Sequence, residues 1–226
     1  MGADALIVGG GSGIRFGSKK QFFTLGGVSL IRRSVQCFDE HPAVERMIVV
    51  VPREDFDLTR PLLAGLGKPL ELAPGGRTRQ ESVRSGLGLC RREGLILVHD
   101  GVRPFVSPGL ISRVLAGIGE YDACIPGLAA SNTLKEVDGE VVVRTVPRAK
   151  LFAVQTPQCF RAAVIHEAHE RAQARGFAEA TDDSALVEEL GGRVRLVEGD
   201  PYNVKITVAE DIAMAEALLK CRSGSA

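Results

Sequence analysis

The sequence lacks an excess of charge of either sign. Lysine plus arginine and aspartate plus glutamate each number 28, so the formal net charge is zero at neutral pH. Proteins that hold nucleic acid on a broad basic surface usually carry a clear positive excess. We therefore expect no nucleic-acid partner, and any cationic binding surface must be local.

The chain also lacks the cysteine pattern of a disulfide framework and the apolar runs of a membrane protein. Its five cysteines are odd in number and scattered, with no C-x-x-C pair. That usage favours reduced thiols and a cytoplasmic protein. No basic segment followed by a long apolar segment opens the chain, and no apolar run approaches the span of a bilayer. We expect no membrane association.

What the chain does contain is a regular alternation of short apolar runs and segments with helical spacing. With 226 residues it is long enough for one large domain with a substantial core. The runs predicted as strands are 5–8, 47–51, 95–98, 123–126, 194–197 and 204–208. This alternation predicts an α/β fold, a mostly parallel sheet covered by helices on both faces. In such sheets ligands bind beyond the carboxyl ends of the strands.

One segment interrupts the alternation. Residues 133–137 and 140–146 have the pattern of two strands joined by Asp138-Gly139, a dipeptide typical of hairpin turns. An isolated two-stranded hairpin is marginally stable in water. We therefore expect this hairpin to pack either on its own sheet or on another subunit.

The glycine-rich segment after the first predicted strand is the most informative functional motif. Gly9-Gly10-Gly11-Ser12-Gly13 follows the strand directly, and the cations Arg15 and Lys20 come next. Such a turn presents backbone N–H groups to phosphate oxygens. A dinucleotide fingerprint needs glycine where Phe16 stands, and the closing Gly-Lys-Ser/Thr of a P-loop is missing. The motif therefore indicates a phosphate loop of a third kind, serving a ligand with several negative charges.

Further segments place polar groups at strand ends or in loops, and each has a structural alternative. Residues 75–82 suit an anion or a base edge at a helix N-terminus, or ordinary helix capping by Thr78. Asp100 follows a buried strand, where a carboxylate facing phosphates makes sense chiefly with Mg²⁺ between them; the alternative is a surface turn with an Asp100–Arg103 pair. Lys205 suits a second phosphate, or it protects an edge strand from aggregation.

Two histidines invite a metal interpretation that their spacing does not favour. His166 and His169 are three residues apart on a predicted helix, without the H-E-x-x-H pattern and without a matching third ligand. We expect both to be solvated helix residues.

The ordered set of these motifs resembles the 2-C-methyl-D-erythritol 4-phosphate cytidylyltransferase family of the non-mevalonate isoprenoid pathway, nearly from end to end. The resemblance rests on the loop with Arg15 and Lys20-Gln21, on Gly75-Gly76 with Arg79 and Ser82, and on the segments 99–104, 133–135, 146–148, 156–158, 181–183 and 203–207. The family usually opens with Pro-Ala-Ala-Gly, whereas this chain has Val8-Gly9-Gly10-Gly11.

The resemblance implies a Rossmann-like fold and Mg²⁺-dependent transfer of CMP from CTP to methylerythritol phosphate. It implies one nucleotidyltransferase domain over residues 1–226 and a homodimer joined through a β-hairpin arm at 129–152. The implied catalytic residues are Arg15, Lys20, Arg148 and Lys205. The implied CTP-binding residues are Gly9, Gly10, Gly11, Gly13, Gly76, Arg79, Ser82 and Asp100, with Asp100 near the magnesium ion. The implied acceptor-binding residues are Thr133, Arg148, Thr156 and Lys205, with Thr133 and Arg148 supplied by the arm of the partner subunit.

Two other functions remain open on the sequence. A cytidylyltransferase acting on ribitol 5-phosphate would fit the opening Gly-Gly and the motif His-Asp-x-Val-Arg-Pro-Phe, whereas Thr-Leu-Lys and Thr-Asp-Asp favour methylerythritol phosphate. A non-catalytic nucleotide-binding module is the alternative from a different class. The presence of both Arg15 and Lys20 argues against it.

Overall fold

The computed structural model describes residues 2–10, 19–177 and 180–223. The strands in these ranges are β1 (Ala3–Val8), β2 (Thr24–Leu25), β3 (Val28–Ser29), β4 (Val44–Val51), β5 (Leu70–Pro74), β6 (Leu95–Asp100), β7 (Ala123–Ala129), β8 (Leu134–Asp138), β9 (Val141–Val146), β10 (Phe152–Val154), β11 (Gln158–Arg161) and β12 (Val194–Glu198). The α-helices are α1 (Leu30–Asp39), α2 (Phe56–Leu62), α3 (Arg79–Leu87), α4 (Pro108–Gly117), α5 (Ala162–Ala174), α6 (Asp183–Glu189) and α7 (Asp211–Ser223).

The centre of the fold is a sheet of mixed but mostly parallel strands. Its strands run in the order β10-β7-β11-β6-β1-β4-β5, and β12 also pairs with β7. The pairs from β6 through β5 are all parallel, and so is β12 with β7. Strands β10 and β11 run antiparallel to their neighbours. The predicted Rossmann-like α/β architecture is confirmed.

Alternate side chains of the central strand β1 face opposite helical layers. Ile7 packs in one buried cluster with Val35 of α1 and Val114 of α4. Leu6 packs in a second buried cluster with Val83 of α3 and Ile165 of α5. Because successive residues of a strand point to opposite faces, a continuous apolar run buries both. Helices therefore cover both faces of the sheet, as the sequence predicts.

The predicted strand at 204–208 is wrong, because this segment is a loop that leads into α7. The N–H groups of Thr207 and Val208 both donate to one carboxylate oxygen of Asp211, at 2.6 and 3.0 Å. The Asp211 side chain therefore accepts backbone N–H groups that would otherwise donate to a neighbouring strand of a sheet. Lys205 lies on this loop, so protection of an edge strand does not explain it.

The predicted hairpin is present, and it forms a two-stranded sheet of its own. Strand β8 pairs with β9, and every residue of β8 is exposed. Asp138 pairs with Val141, so the two-residue loop is Gly139-Glu140, one residue later than predicted. Gly139 has φ +57°, a value that glycine adopts without strain. The hairpin therefore does not pack on the central sheet of its own chain, which was one of its two expected partners.

Two further features of the described residues are the hydrophobicity of the helices and the reactivity of the cysteines. Across 2–10, 19–177 and 180–223, no helix is long and apolar enough to cross a lipid bilayer. Burial raises the pKa of the Cys90 thiol to about 12 and that of Cys124 to about 11. These two thiols are therefore core side chains rather than nucleophiles.

Candidate active site

The carboxyl ends of β1 and β6 lie side by side and position the backbone of the site. Val8 is in register with Asp100, and the N–H of Gly101 donates to the carbonyl of Val8 at 2.8 Å. The N–H of Gly9 donates to the carbonyl of Val50 at 2.7 Å, which fixes the chain as it leaves β1. The glycine segment and Asp100 thus meet at one edge of the sheet, as parallel strand order requires.

A cavity of about 500 Å³ opens at this edge, and we call it the larger cavity. The sequence-predicted residues that line it are Gly9, Gly10, Lys20, Gly76, Arg79, Ser82, Asp100 and Lys205. The predicted residues Gly11, Gly13 and Arg15 lie outside the described residues. The structure therefore brings together predicted groups from five separate segments of the chain.

Two glycine segments form one wall of the larger cavity. A Cβ added to Gly10 would lie 3.6 Å from the Cα of Gly75 and 3.0 Å from the hydroxyl of Ser82. That hydroxyl accepts from the N–H of Gly76 at 3.0 Å and donates to the carbonyl of Thr78 at 2.9 Å. Ser82 thus fixes the second glycine segment, and the glycine at position 10 leaves room for its hydroxyl.

The N-terminus of α3 faces the same cavity. The Thr78 side chain caps the helix by accepting from the N–H of Glu81 at 3.0 Å. Thr78 and Arg79 also line the cavity. The two interpretations of segment 75–82 are therefore compatible, because a capped helix directs the positive end of its dipole at the space beside it.

A second, smaller cavity of about 310 Å³ adjoins the first. Both cavities are lined by Arg79, Asp100 and Lys205, which we call the shared wall. The other residues around the smaller cavity are Arg103, Val154, Gln155, Thr156, Gln158, Thr181 and Asp182. Two compartments separated by three charged side chains suit two ligands whose reacting groups meet between them.

Asp100 is the centre of this wall. One carboxylate oxygen lies 3.1 Å from Nε of Arg79; the other lies 2.8 Å from Nζ of Lys205 and 3.5 Å from Nε of Arg103. Burial opposes ionisation of Asp100, but these three cations outweigh it and hold its pKa well below the usual range. The Asp100–Arg103 pair exists, yet both side chains are buried, so the alternative of a surface turn is wrong.

Thr156 and His99 hold Asp100 from behind. The hydroxyl oxygen of Thr156 accepts from the N–H of Asp100 at 3.0 Å and lies 3.1 Å from Nδ1 of His99. Nε2 of His99 lies 3.2 Å from the carbonyl of Arg103. Burial lowers the pKa of His99 to about 4, so the imidazole is neutral at pH 7 and Nε2 is the donor. Thr156 therefore lines the smaller cavity and also supports the wall.

Arg79 is held on its far side by a pair for which the sequence patterns gave no role. Its Nη1 lies 2.7 Å from one carboxylate oxygen of Asp183, whose other oxygen lies 3.1 Å from Nε2 of His169. Burial opposes ionisation of Asp183, but Arg79 and His169 outweigh it and lower its pKa. The expectation that His166 and His169 are solvated is wrong, since both are buried.

The sequence signals for this pair were the segment 181–183, which the resemblance includes, and the spacing of His166 and His169, but neither signal connects His169 with Asp183. Asp183 is 104 residues from Arg79 along the chain, and no local pattern joins them. Helical periodicity does not distinguish a buried histidine with a carboxylate partner from a solvated one.

Two predicted acceptor-binding residues line neither cavity of their own chain. Thr133 is exposed beside the hairpin, and Arg148 is exposed in the short 3₁₀ turn that follows it. The Arg148 guanidinium donates to the carbonyl of Ser131. Their contribution from a partner subunit remains a prediction.

The side chains around the site can be compared with the needs of a magnesium ion. Among the described residues no group of three or more His, Cys, Asp or Glu side chains is placed to hold a metal. Asp100 is the one acidic side chain among the described residues around the larger cavity, and both its oxygens face cations. Since Mg²⁺ is commonly held by one carboxylate plus substrate phosphates, the site fits an ion that arrives with phosphate ligands.

Known proteins are similar to this chain in both sequence and overall fold. Residues 4–221 match the family model described as IspD, 2-C-methyl-D-erythritol 4-phosphate cytidylyltransferase. The enzyme of that name from Geobacter metallireducens is 40% identical over 229 residues, covering 97% of this chain and 98% of the relative.

Solved structures agree with the sequence match. The 4-diphosphocytidyl-2C-methyl-D-erythritol synthase of Anaerococcus prevotii superposes with a TM-score of 0.87 at 30% identity, covering 97% of this chain and 96% of the other. The 2-C-methyl-D-erythritol 4-phosphate cytidylyltransferase of Thermus thermophilus gives a TM-score of 0.80 at 37% identity, covering 95% of this chain and 98% of the other.

Proposed function

Because the chain belongs to the 2-C-methyl-D-erythritol 4-phosphate cytidylyltransferase family, we propose that it transfers CMP from CTP to 2-C-methyl-D-erythritol 4-phosphate. The products are 4-diphosphocytidyl-2-C-methyl-D-erythritol and pyrophosphate. The observation that carries this proposal is the pair of cavities that share Arg79, Asp100 and Lys205. CTP occupies the larger cavity and the acceptor the smaller one, so the reacting phosphates meet at the shared wall.

The reaction is an in-line displacement at the α-phosphorus. An oxygen of the acceptor phosphate forms a bond to that phosphorus, and the bond to the oxygen bridging to the β-phosphate breaks, releasing pyrophosphate. The acceptor phosphate is already largely ionised near neutral pH, so no general base is needed. The barrier is mainly the approach of like charges, which positioning and preorganised cations lower.

The residues of the larger cavity have separate tasks in this proposal. Lys20 and Arg15 neutralise charge that grows on the triphosphate, the lysine as a point charge and the arginine with its planar fork. Gly10 and Gly76 form the part of the wall nearest Ser82, which suits the base and ribose. Lys205 faces both cavities and can contact the reacting phosphates.

This proposal includes a magnesium ion. When bound with CTP, the ion would neutralise part of the charge on the phosphates. Asp100 is the carboxylate available to it, provided that Lys205 moves away from the oxygen that it contacts at 2.8 Å. Lys205 has room to move, since its side chain is 41% exposed.

The acceptor site is completed by a second subunit in this proposal. Residues 129–152 form the dimerisation arm of a single domain, and the partner subunit's Thr133 and the partner subunit's Arg148 reach the acceptor. The support is the exposure of the hairpin, whose apolar side chains are left uncovered by the part of the chain that the structure describes. The dimer works in the cytoplasm, in agreement with the cysteine usage.

Pyrophosphate release tests the reaction directly. CTP, UTP and ATP are each offered with methylerythritol phosphate and with ribitol 5-phosphate, in the presence of Mg²⁺. We expect the fastest release with CTP and methylerythritol phosphate. Faster release with ribitol 5-phosphate would favour that acceptor instead, and CTP binding without release would favour a non-catalytic module.

Arg15→Ala tests the role of the glycine loop. If Arg15 acts as one preorganised donor, turnover falls roughly 10²–10³-fold while CTP binding weakens much less. Arg92→Ala is the control, since that exposed arginine pairs with Glu170 and lines neither cavity. Near-normal turnover of Arg15→Ala would remove Arg15 from the reaction.

A further inference from the structure

Asp183 and His169 lie behind the shared wall rather than in it. Neither lines the larger or the smaller cavity, and their side chains are each 2% exposed. His169 comes from α5 and Asp183 begins α6, so these two helices meet at this pair. Of the three residues of the shared wall, Arg79 is the one that contacts this pair in the described part of the chain.

The two cations of the shared wall are held very differently. Arg79 contacts Asp100 at 3.1 Å through Nε and Asp183 at 2.7 Å through Nη1, so it is fixed between two buried carboxylates. Lys205 contacts Asp100 at 2.8 Å from a loop. The Arg79 side chain is 27% exposed and that of Lys205 is 41% exposed. Arg79 is therefore the constrained cation, and Lys205 has the freer path to a ligand.

An incoming triphosphate would attract both cations. A guanidinium binds phosphate in a planar, two-point geometry and is less strongly hydrated than an ammonium, so an unconstrained Arg79 would pair readily with phosphate. That movement would leave the carboxylate of Asp100 facing the phosphates with one cation fewer beside it to offset their mutual repulsion. It would also strengthen binding of CTP itself without aiding the transition state.

From this geometry we propose that Asp183, supported by His169, is a positioning residue that keeps Arg79 on Asp100, so that Lys205 is the wall cation released to the reacting phosphates. The inference rests on the proposed function for its kinetic consequences. Asp183 acts through Arg79 and touches no substrate.

Asp183→Asn is the first test, because it keeps the shape of the side chain and removes its charge. We expect CTP to bind several-fold more tightly by calorimetry, because Arg79 becomes free to pair with phosphate. We also expect kcat to fall about 10-fold, the usual scale for loss of a supporting contact, with no rise in KM for CTP. A variant that is merely less folded would give a lower thermal midpoint and unchanged affinity per folded molecule.

A double-mutant cycle shows whether Asp183 acts through Arg79. In an Arg79→Gln background, Asp183→Asn should cause no further fall in kcat, because the group that it positions is gone. Fully additive losses would overturn the proposal, and so would an Asp183→Asn variant with unchanged kcat and unchanged CTP affinity.

The two histidines of α5 supply a matched comparison that does not depend on Asp183 variants folding. His169→Gln retains an N–H donor and should stay within about 2-fold of the parent kcat, whereas His169→Leu should show the pattern of Asp183→Asn. His166→Leu is the control, since His166 is also buried but contacts the carbonyl of Arg91. Equal effects of the His166 and His169 leucine variants would overturn the proposal.

Calorimetric measurement of CTP binding tests this inference independently of the proposed function. If the wild-type protein releases no pyrophosphate with any substrate pair, the proposed function fails. Tighter CTP binding by Asp183→Asn would still support the positioning role in that case, and unchanged binding would overturn it.

Discussion

The shared wall and the hairpin arm invert the usual distribution of side chains. At the wall, Asp100 is buried among cations, and behind the wall Asp183 is almost fully buried. On the arm, apolar side chains face the solvent: Val137 is 57% exposed, Val141 70% and Val142 54%. Buried charge is costly and exposed apolar surface is unusual when it is contiguous. Neither region is therefore explained by the stability of an isolated subunit.

The difference indicates what each region is prepared to meet. The charges of the wall already have partners within the chain, so a ligand there exchanges one set of ion pairs for another. The described residues leave the valines of the arm exposed, so a further surface is needed to bury them. The wall is arranged for chemistry, and the arm has the properties of an interface.

The largest expected effect comes from removing the central charge of the wall. Asp100→Asn should lower the free energy of unfolding by about 3–5 kcal/mol, because Arg103 loses its buried counter-charge and Arg79 loses one of its two carboxylate partners. Urea unfolding at pH 7 measures it. On the arm, Arg144→Ala breaks an exposed ion pair with Glu136 and should change stability by less than about 1 kcal/mol. Similar costs for the two variants would contradict the contrast between the regions.

The next effect concerns pH and arises from His99, behind the wall. Its folded pKa of about 4 lies below the unfolded value of about 6.5, so the unfolded chain binds more protons between these values. The stabilisation that comes from a neutral His99 should therefore be fully present above about pH 6.5. The free energy of unfolding should fall by up to about 3 kcal/mol as the pH drops to about 4. The depressed pKa values of Asp100 and Asp183 act in a lower window, below about pH 4.

Urea unfolding at several pH values between about 4 and 7 measures the slope of the unfolding free energy against pH. The His99→Gln variant should lack the part of that slope that His99 contributes. The comparison uses the slope of each protein against pH, so a uniform loss of stability in the variant does not affect it. Equal slopes for the two proteins would show that His99 is not the group responsible.

The smallest expected effect is on assembly. Val137 and Val142 are cross-strand neighbours on the arm, and replacing both with lysine should prevent burial of this surface by a partner. We expect a monomer in sedimentation experiments at micromolar concentration and activity about 10-fold lower, about 1.4 kcal/mol. The thermal midpoint of the subunit should hardly change.

Leu58→Lys is the matched control for the arm, because Leu58 is an exposed leucine of α2, 51% exposed, away from the hairpin. It should leave both assembly and activity unchanged. A double valine variant with the same oligomeric state as the parent protein would exclude the arm as the dimer interface.

The periodic parts of the fold were predictable, and one segment shows where periodicity misleads. The runs at 5–8 and 95–98 became β1 and β6, because apolar side chains on both faces of a strand leave a clear record in the sequence. The run at 204–208 has the same appearance, yet Asp211 takes two of its N–H groups. A competing side-chain acceptor is not visible in apolar periodicity.

The sequence by itself determined the strand–helix alternation, the hairpin and the positions of Gly10 and Asp100 at or just beyond strand ends, because these depend on periodicity and turn chemistry between neighbours. Tertiary structure alone decided that His169 is buried and that Arg79 is held between Asp100 and Asp183. Those contacts join residues that are 14, 21 and 104 positions apart. Such ion pairs form only when packing of the helices on the sheet brings the charges into a common low-dielectric space.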